Sequence, residues 1–299
     1  MITLTEKTRI AKPDFSPEIL LPRRDFVFKN LFGTEKNKDI LGGFIQDALH
    51  LPDDEVEVLE IRDPQIQPLM YGRKRCILDL LVNTRSGMHV HIEIQLVNRG
   101  DTKDRITYYN CKLISNQLAT GDTYQLRRAI SIVIVDYDLF PGQSKYFSHF
   151  SMMDRENHCP FSDKIEYNIL ELCKIPQEAD NTALWKWMNF LKSEKKGDFE
   201  KMKASTTDPN LRKAIEELEK LSIDPKMREE YFLYEKALWD EMSFGAAKFQ
   251  DGCRETNLSN AKEMLLRSMD RQLILDITKL NEADLESIER NLQEEQKPT

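Results

Sequence analysis

The chain predicts a mixed α/β fold of the α+β kind: a mixed β-sheet core flanked by helices, followed by a C-terminal helical region. Three observations predict it. Residues 73–83 (RKRCILDLLVN) and 88–97 (MHVHIEIQLV) are apolar strand patterns on either side of the turn NTRSG, which is a hairpin signal. Residues 129–135 (AISIVIV) have the unbroken β-branched character of a central strand covered on both faces. From Thr182 onward the period becomes helical, with short spacers between runs. The 299 residues are enough for one or two domains with real cores. We divide them into an N-terminal arm at 1–22, a sheet domain at 23–180 and a helical region at 181–299.

The arm is punctuated by Pro13, Pro17 and Pro22. In RRDFVFKNLFG (residues 23–33) Phe28 and Phe32 stand four apart, predicting a short helix capped by Asp25 and closed by Gly33. A second helix is expected over 39–49, burying Ile40, Leu41, Phe44, Ile45 and Ala48. Gly42 and Gly43 inside it cost helix propensity and imply close packing. Strands follow at 56–61 and 66–71, the latter weakened by Pro68, and then the hairpin. Residues 102–120 predict a helix with Ile106, Tyr109, Leu113 and Leu118 inward. Later strands are expected at 146–153 and 165–172. The last third predicts helices at 185–191 (WKWMNFL), 209–221, 225–249 and 257–270, with GDFE, DPN and IDP as spacers, and a capped helix from about Asn281.

Composition excludes some classes. No apolar run is long enough to span a membrane. The first twenty residues lack the apolar core of a secretory signal, so a cytoplasmic address is expected. Cysteines 76, 111, 159, 173 and 253 show no CxxC spacing and read as reduced, mostly buried thiols. The adjacent His158 and Cys159 lack partners for a metal site. Net charge is −8, from 43 basic and 51 acidic residues, yet the first 150 residues are neutral, with 20 of each. Basic clusters lie there: Arg23-Arg24 with Lys29, Arg73-Lys74-Arg75, Arg99-Lys103-Arg105 and Arg127-Arg128. A basic rim around an acidic centre suits a polyanionic substrate that needs metal ions, although each cluster alone also reads as solvated charge.

The acidic centre comes from the hairpin. On the second strand His89, His91, Glu93 and Gln95 share one face by the period of two. On the first, Asp79 interrupts a run of Ile and Leu, where a lone carboxylate is costly to bury. Pairing outward from the turn brings Asp79 opposite the stretch between His91 and Glu93. Two facing carboxylates repel unless a cation lies between them, and oxygen ligands favour Mg²⁺ or Mn²⁺. An ion held by Asp79, Glu93 and the carbonyl of Ile94 would activate water and polarise a phosphodiester. Gln95 points the same way, to orient water or touch the phosphate, and has no charge with which to act as a strong base. The structural alternatives are Asp79 as a hydrogen-bond hub and Glu93-x-Gln95 as solvated surface.

This pattern resembles the PD-(D/E)XK nuclease-like transposase family, in the group called Rpn, recombination-promoting nucleases. Its motif is Asp, a spacer holding a hairpin turn, then Glu-x-Lys, with Gln common at the last position in this group, as in IEIQ here. RRDFVFKNLFG is similar to the family's Asp-x-x-Phe-Lys-x-x-Phe-Gly signature. RITYYNCKLISNQLATGDTYQLRRAISIVIVDYDLF and KIEYNILELCKI extend the likeness over roughly residues 23–176. LILDITKLNEADLESIER partly matches the family's C-terminal segment, with Lys279 where glycine is usual.

The resemblance implies a restriction-endonuclease-like core, a Mg²⁺- or Mn²⁺-dependent endonuclease of low sequence specificity, and double-stranded DNA as partner, in recombination, mobile elements or DNA defence. It makes Asp79 and Glu93 metal-binding acids, with Ile94 beside them, and puts Gln95 at the lysine position. Asp25 is a candidate additional helix-borne acid. Arg105, Tyr108, Arg75 and Lys103 are candidates for phosphate contact or for bracing the site, with Tyr109 packing. The C-terminal helices would serve homo-oligomerisation or form a lid. The alternatives are an inactive nucleic-acid-binding or interaction module on the same fold, or a nuclease acting on RNA.

Overall fold

A computed structural model describes residues 16–52, 56–62, 65–66, 76–77, 79–119 and 121–295. Its centre is a six-stranded sheet in the order β1-β4-β5-β6-β8-β7. The strands are β1 (Val58–Arg62), β4 (Leu80–Thr84), β5 (His89–Gln95), β6 (Ala129–Val135), β7 (Phe147–Met153) and β8 (Pro160–Glu171). A separate two-stranded ribbon pairs β2 (Gln65–Ile66) with β3 (Cys76–Ile77). Strands β5, β6 and β8 are parallel, while β1–β4, β4–β5 and β7–β8 are antiparallel, so the sheet is mixed as expected. Parallel neighbours need a crossover, and α3 (Thr102–Ser115) makes the one between β5 and β6.

The expected hairpin forms, with Leu80 opposite Ile92 and Leu81 opposite His91. The first strand, however, is not continuous. Residues 76–77 pair into the small ribbon, the chain bends at Asp79, and β4 starts only at Leu80. All seven residues of β6 are buried, as the apolar run predicts. All seven of β5 are buried too, polar row included. Alternation suggested a polar face near solvent; instead α3 covers that face.

The other face carries the main core. The helices over it are α1 (Asp25–Phe32), α2 (Lys38–Leu49), α4 (Ala183–Lys192), α5 (Lys196–Ser205) and α6 (Pro209–Ile223). They bury Phe28, Phe32, Phe44, Trp187, Phe190, Phe199, Leu211 and Leu218 with Val90, Ile92, Ile132 and Ile134 of the sheet. The GDFE expected as a spacer lies inside α5, whose Phe199 anchors it in this core. Gly42 and Gly43 confirm the close approach: an added Cβ would stand 3.2 Å from the Val56 carbonyl oxygen and 2.5 Å from Asn210 Nδ2. Asp25 does not cap α1. The N-cap is Arg24, and Asp25, in the first turn, pairs with Lys29 one turn on.

Because α4 to α6 share the main core, the compact unit runs from Ser16 to Tyr231, beyond the division expected near 180. A second unit begins at Phe232. It takes in most of α7 (Pro225–Leu266), one helix where two were expected, together with α8 (Arg271–Thr278) and α9 (Glu282–Glu295). Ala261, Ile274, Leu285 and Ile288 form its buried centre. Lys279, which stands where the resembled family has glycine, closes α8 in the left-handed region at φ 56°. That conformation is the one glycine adopts without steric cost.

The four described cysteines, Cys111, Cys159, Cys173 and Cys253, are free and exposed, not buried as expected. No described helix is long and apolar enough to cross a membrane.

Trp187 ties α4 to α2, donating from Nε1 to Asp47 at 2.7 Å and packing edge-on against Phe44 and Phe190. Trp187→Ala should cost about 3–5 kcal/mol in urea unfolding, read as a lower midpoint of a single transition that includes the sheet.

Candidate functional site

The site lies where β4 begins and β5 ends. Extending the hairpin register by one residue beyond Leu80–Ile92 sets Asp79 across from Glu93. Glu93 turns to the side that α3 covers, where Arg105 meets it, and its charge acts on the Asp79 carboxyl. At the bend, Asp79 Oδ2 accepts the Ile94 N–H at 2.8 Å. The N–H and C=O of one strand residue point to the same edge. Ile94 therefore presents its carbonyl to the same edge as its N–H, the side of Asp79.

Glu93 is held from several sides. Its side chain is only 8% exposed, and Arg105 NH2 of α3 reaches Oε1 at 3.3 Å. Gln95 Nε2 donates to Oε1 at 3.3 Å, and His91 Nε2 stands 3.3 Å from Oε2. His91, wholly buried, has Nδ1 3.4 Å from Ser131 Oγ and its ring edge-on to Tyr109. Gln95 in turn accepts from Thr102 Oγ1 at 3.0 Å and Tyr137 OH at 3.2 Å. Both ends of the Gln95 amide are thus committed to the protein.

Asp79 is held from the other side. Lys29 Nζ of α1 lies 3.2 Å from Asp79 Oδ1 and 2.8 Å from Asp25 Oδ1. Burial pushes the Asp79 carboxyl up to about 7, with the charges of Glu93 and Asp25 adding to it; Lys29 and the Ile94 N–H oppose without cancelling. Burial pulls the Lys29 ammonium down, but Asp79 and Asp25 outweigh it and the net shift is upward. Burial first, and then the neighbouring acids, make the charged form of Asp79 costly, a cost that a bound cation would relieve. Among the described residues no three His, Cys, Asp or Glu side chains form a ready metal-holding group. The donor set fits an ion that takes one or two carboxylates and completes its shell from main-chain carbonyl, water and phosphate.

The other sequence candidates divide. Asp25 meets Asp79 through Lys29. Arg105 faces Glu93. Tyr108 packs with Tyr109 against Leu81, Leu113 and Ala129. Lys103 is exposed, 4.7 Å over the Phe140 ring, beside a cleft of about 320 Å³ lined also by Asn98, Gly100, Thr102, Asp104 and Leu139. Arg75 lies outside the described residues. Sequence reasoning placed Lys29 only in the basic rim and gave no role to Thr102 or Tyr137. The i,i+4 spacing of Asp25 and Lys29 signalled their mutual pairing, but nothing local signalled the reach of Lys29 to Asp79.

The family model for PD-(D/E)XK nuclease family transposases matches residues 22–247, and the chain belongs to that family. The central sheet flanked by helices, with helices following, is consistent with its restriction-endonuclease-like fold. No curated protein and no solved structure matches the chain.

A carboxyl whose pKa is raised in the folded state contributes stability at low pH and loses it as pH rises through the folded value, here about 7. In EDTA at pH 8, Asp79→Asn should therefore melt above the wild type, with the difference vanishing near pH 4. Added Mg²⁺ should raise the melting temperature of the wild type alone. Circular dichroism melts across pH check both.

Proposed function

We propose that this member of the PD-(D/E)XK nuclease family, in its Rpn group, is a Mg²⁺- or Mn²⁺-dependent endonuclease that hydrolyses phosphodiester bonds of double-stranded DNA with little base readout. The observation that supports the reading is the Asp79 carboxyl, seated on the Ile94 amide beside the start of β4, where burial and the charges of Glu93 and Asp25 raise it well above the ordinary carboxylate range. A divalent ion would be held by Asp79, Glu93 and the Ile94 carbonyl. When bound, it supplies Lewis acidity toward a phosphate oxygen and makes water more acidic.

The chain's own residues do the rest. Gln95, locked by Thr102 and Tyr137, orients Glu93 and is not a base. Arg105 fixes Glu93 from α3. Lys103 contacts backbone phosphates, as would Arg75 outside the described residues, while Tyr108 braces α3 from its apolar cluster; phosphate contacts position the duplex without reading its sequence. The C-terminal helices serve self-association, and the protein works in the cytoplasm, in recombination, mobile-element function or DNA defence.

A second reading has one observation in its favour. Lys29 and Arg105 already pair with the two acids, as they would in a module that kept the fold for nucleic-acid binding and lost cutting.

Supercoiled plasmid incubated with Mg²⁺, Mn²⁺ or EDTA separates the two. The wild type should nick it only with metal, and Asp79→Ala and Glu93→Ala should each lower the rate at least about 100-fold. Metal-dependent cutting of RNA alone would transfer the activity to another substrate. Equal cutting by all three proteins would be contamination and would leave the binding module as the better account.

A further inference from the structure

Hydrolysis of a phosphodiester piles negative charge on the phosphate and leaving oxygens, and groups positioned in advance to offset it supply much of the catalysis. Among the described residues the site holds few candidates. Gln95 is neutral and both ends of its amide are engaged. Arg105 is directed at Glu93. Lys29 remains: its Nζ sits 3.2 Å from Asp79, and its side chain is 38% exposed, so the ammonium borders the acids and solvent at once.

The fold holds it there. Val27, Phe28, Leu31 and Phe32 bury one side of α1, leaving Lys29 on the other. Where α1 ends, a Cβ on Gly33 would come within 2.8 Å of Leu80 Cδ2, so α1 abuts the first residue of β4, next to Asp79. Asp25, one turn back, takes the ammonium with both oxygens, at 2.8 and 3.0 Å. An ammonium has three donors, and two carboxylates define its direction.

Resting on the hydrolytic reading above, we infer that Lys29, projected from α1 and aimed by Asp25, is the positioned cation of this site, and that it serves turnover rather than metal binding. Hydrolysis forms one P–O bond from water and breaks one P–O ester bond; the water's proton passes to solvent and the leaving oxygen takes one back. Lys29 keeps its proton throughout and offsets charge. Asp25 is then a positioning residue and not a metal ligand.

The test compares wild type, Lys29→Met, Lys29→Gln, Lys29→Arg and Asp79→Ala in plasmid cleavage with Mn²⁺, together with calorimetric titration of Mn²⁺ alone into each protein. Lys29→Met and Lys29→Gln should each lose about 100-fold in kcat with KM within about threefold, and Lys29→Arg should recover most of the loss. Both neutral variants should bind Mn²⁺ as tightly as the wild type or more so, because a competing cation is gone, whereas Asp79→Ala should not bind it. Turnover of the neutral variants within threefold of an active wild type would overturn the role of Lys29 and leave the hydrolase intact. Loss of Mn²⁺ binding along with rate would overturn it too, reducing Lys29 to a brace for Asp79. A wild type that binds Mn²⁺ and cuts nothing would bring down the hydrolytic reading, and this inference with it.

Discussion

The hydrogen bond from the Ile94 amide to Asp79 is the constraint on which the site depends. Strand β4 begins at Leu80, one residue after Asp79. An ordinary ladder would satisfy the Ile94 N–H with a main-chain carbonyl; here a carboxylate replaces it, and a buried amide left unpaired would cost about 1–3 kcal/mol. One contact thus satisfies a strand amide and fixes an acid whose carboxyl feels the charge of Glu93.

Once the two acids are together, their surroundings are arranged to tolerate them. Glu93 lies beneath α3 and receives Arg105, Gln95 and His91. Asp79 sits at the open end and receives Lys29 and the Ile94 amide. The division is asymmetric. Glu93 is embedded in a side-chain network that continues through Gln95 to Thr102 and Tyr137, while Asp79 has one ammonium, that of Lys29, and the main chain. Networks of this kind rigidify what they hold, so Glu93 is the fixed element and Asp79 the one whose charge responds to its surroundings.

The rigidity needed for this comes from the opposite face. The aromatic cluster of Phe28, Phe32, Phe44 and Trp187 clamps α1, α2 and α4 onto the strands that carry the acids. Closely packed interiors transmit position, so α1 sets the height of Lys29 and the sheet sets the height of Asp79. Helices α4 to α6 are part of this support and not a separate module, for which reason the compact unit extends to Tyr231.

The sequence by itself determined the hairpin, its register, the central strand, the face shared by Glu93 and Gln95, and most helices. Each follows from a local period of two or 3.6 and from turn residues. It also marked Asp79 as an anomaly, a carboxylate in an apolar run. The tertiary structure alone decided that the anomaly breaks the strand, that α3 buries the polar row, that two expected helices are one, and that the presumed spacer holding Phe199 is a helix. It alone joined Lys29 to Asp79 and Arg105 to Glu93. The reason is physical: periodicity reports which side of an element meets the core, whereas an ion pair between distant elements depends on how those elements pack, and no local pattern encodes that.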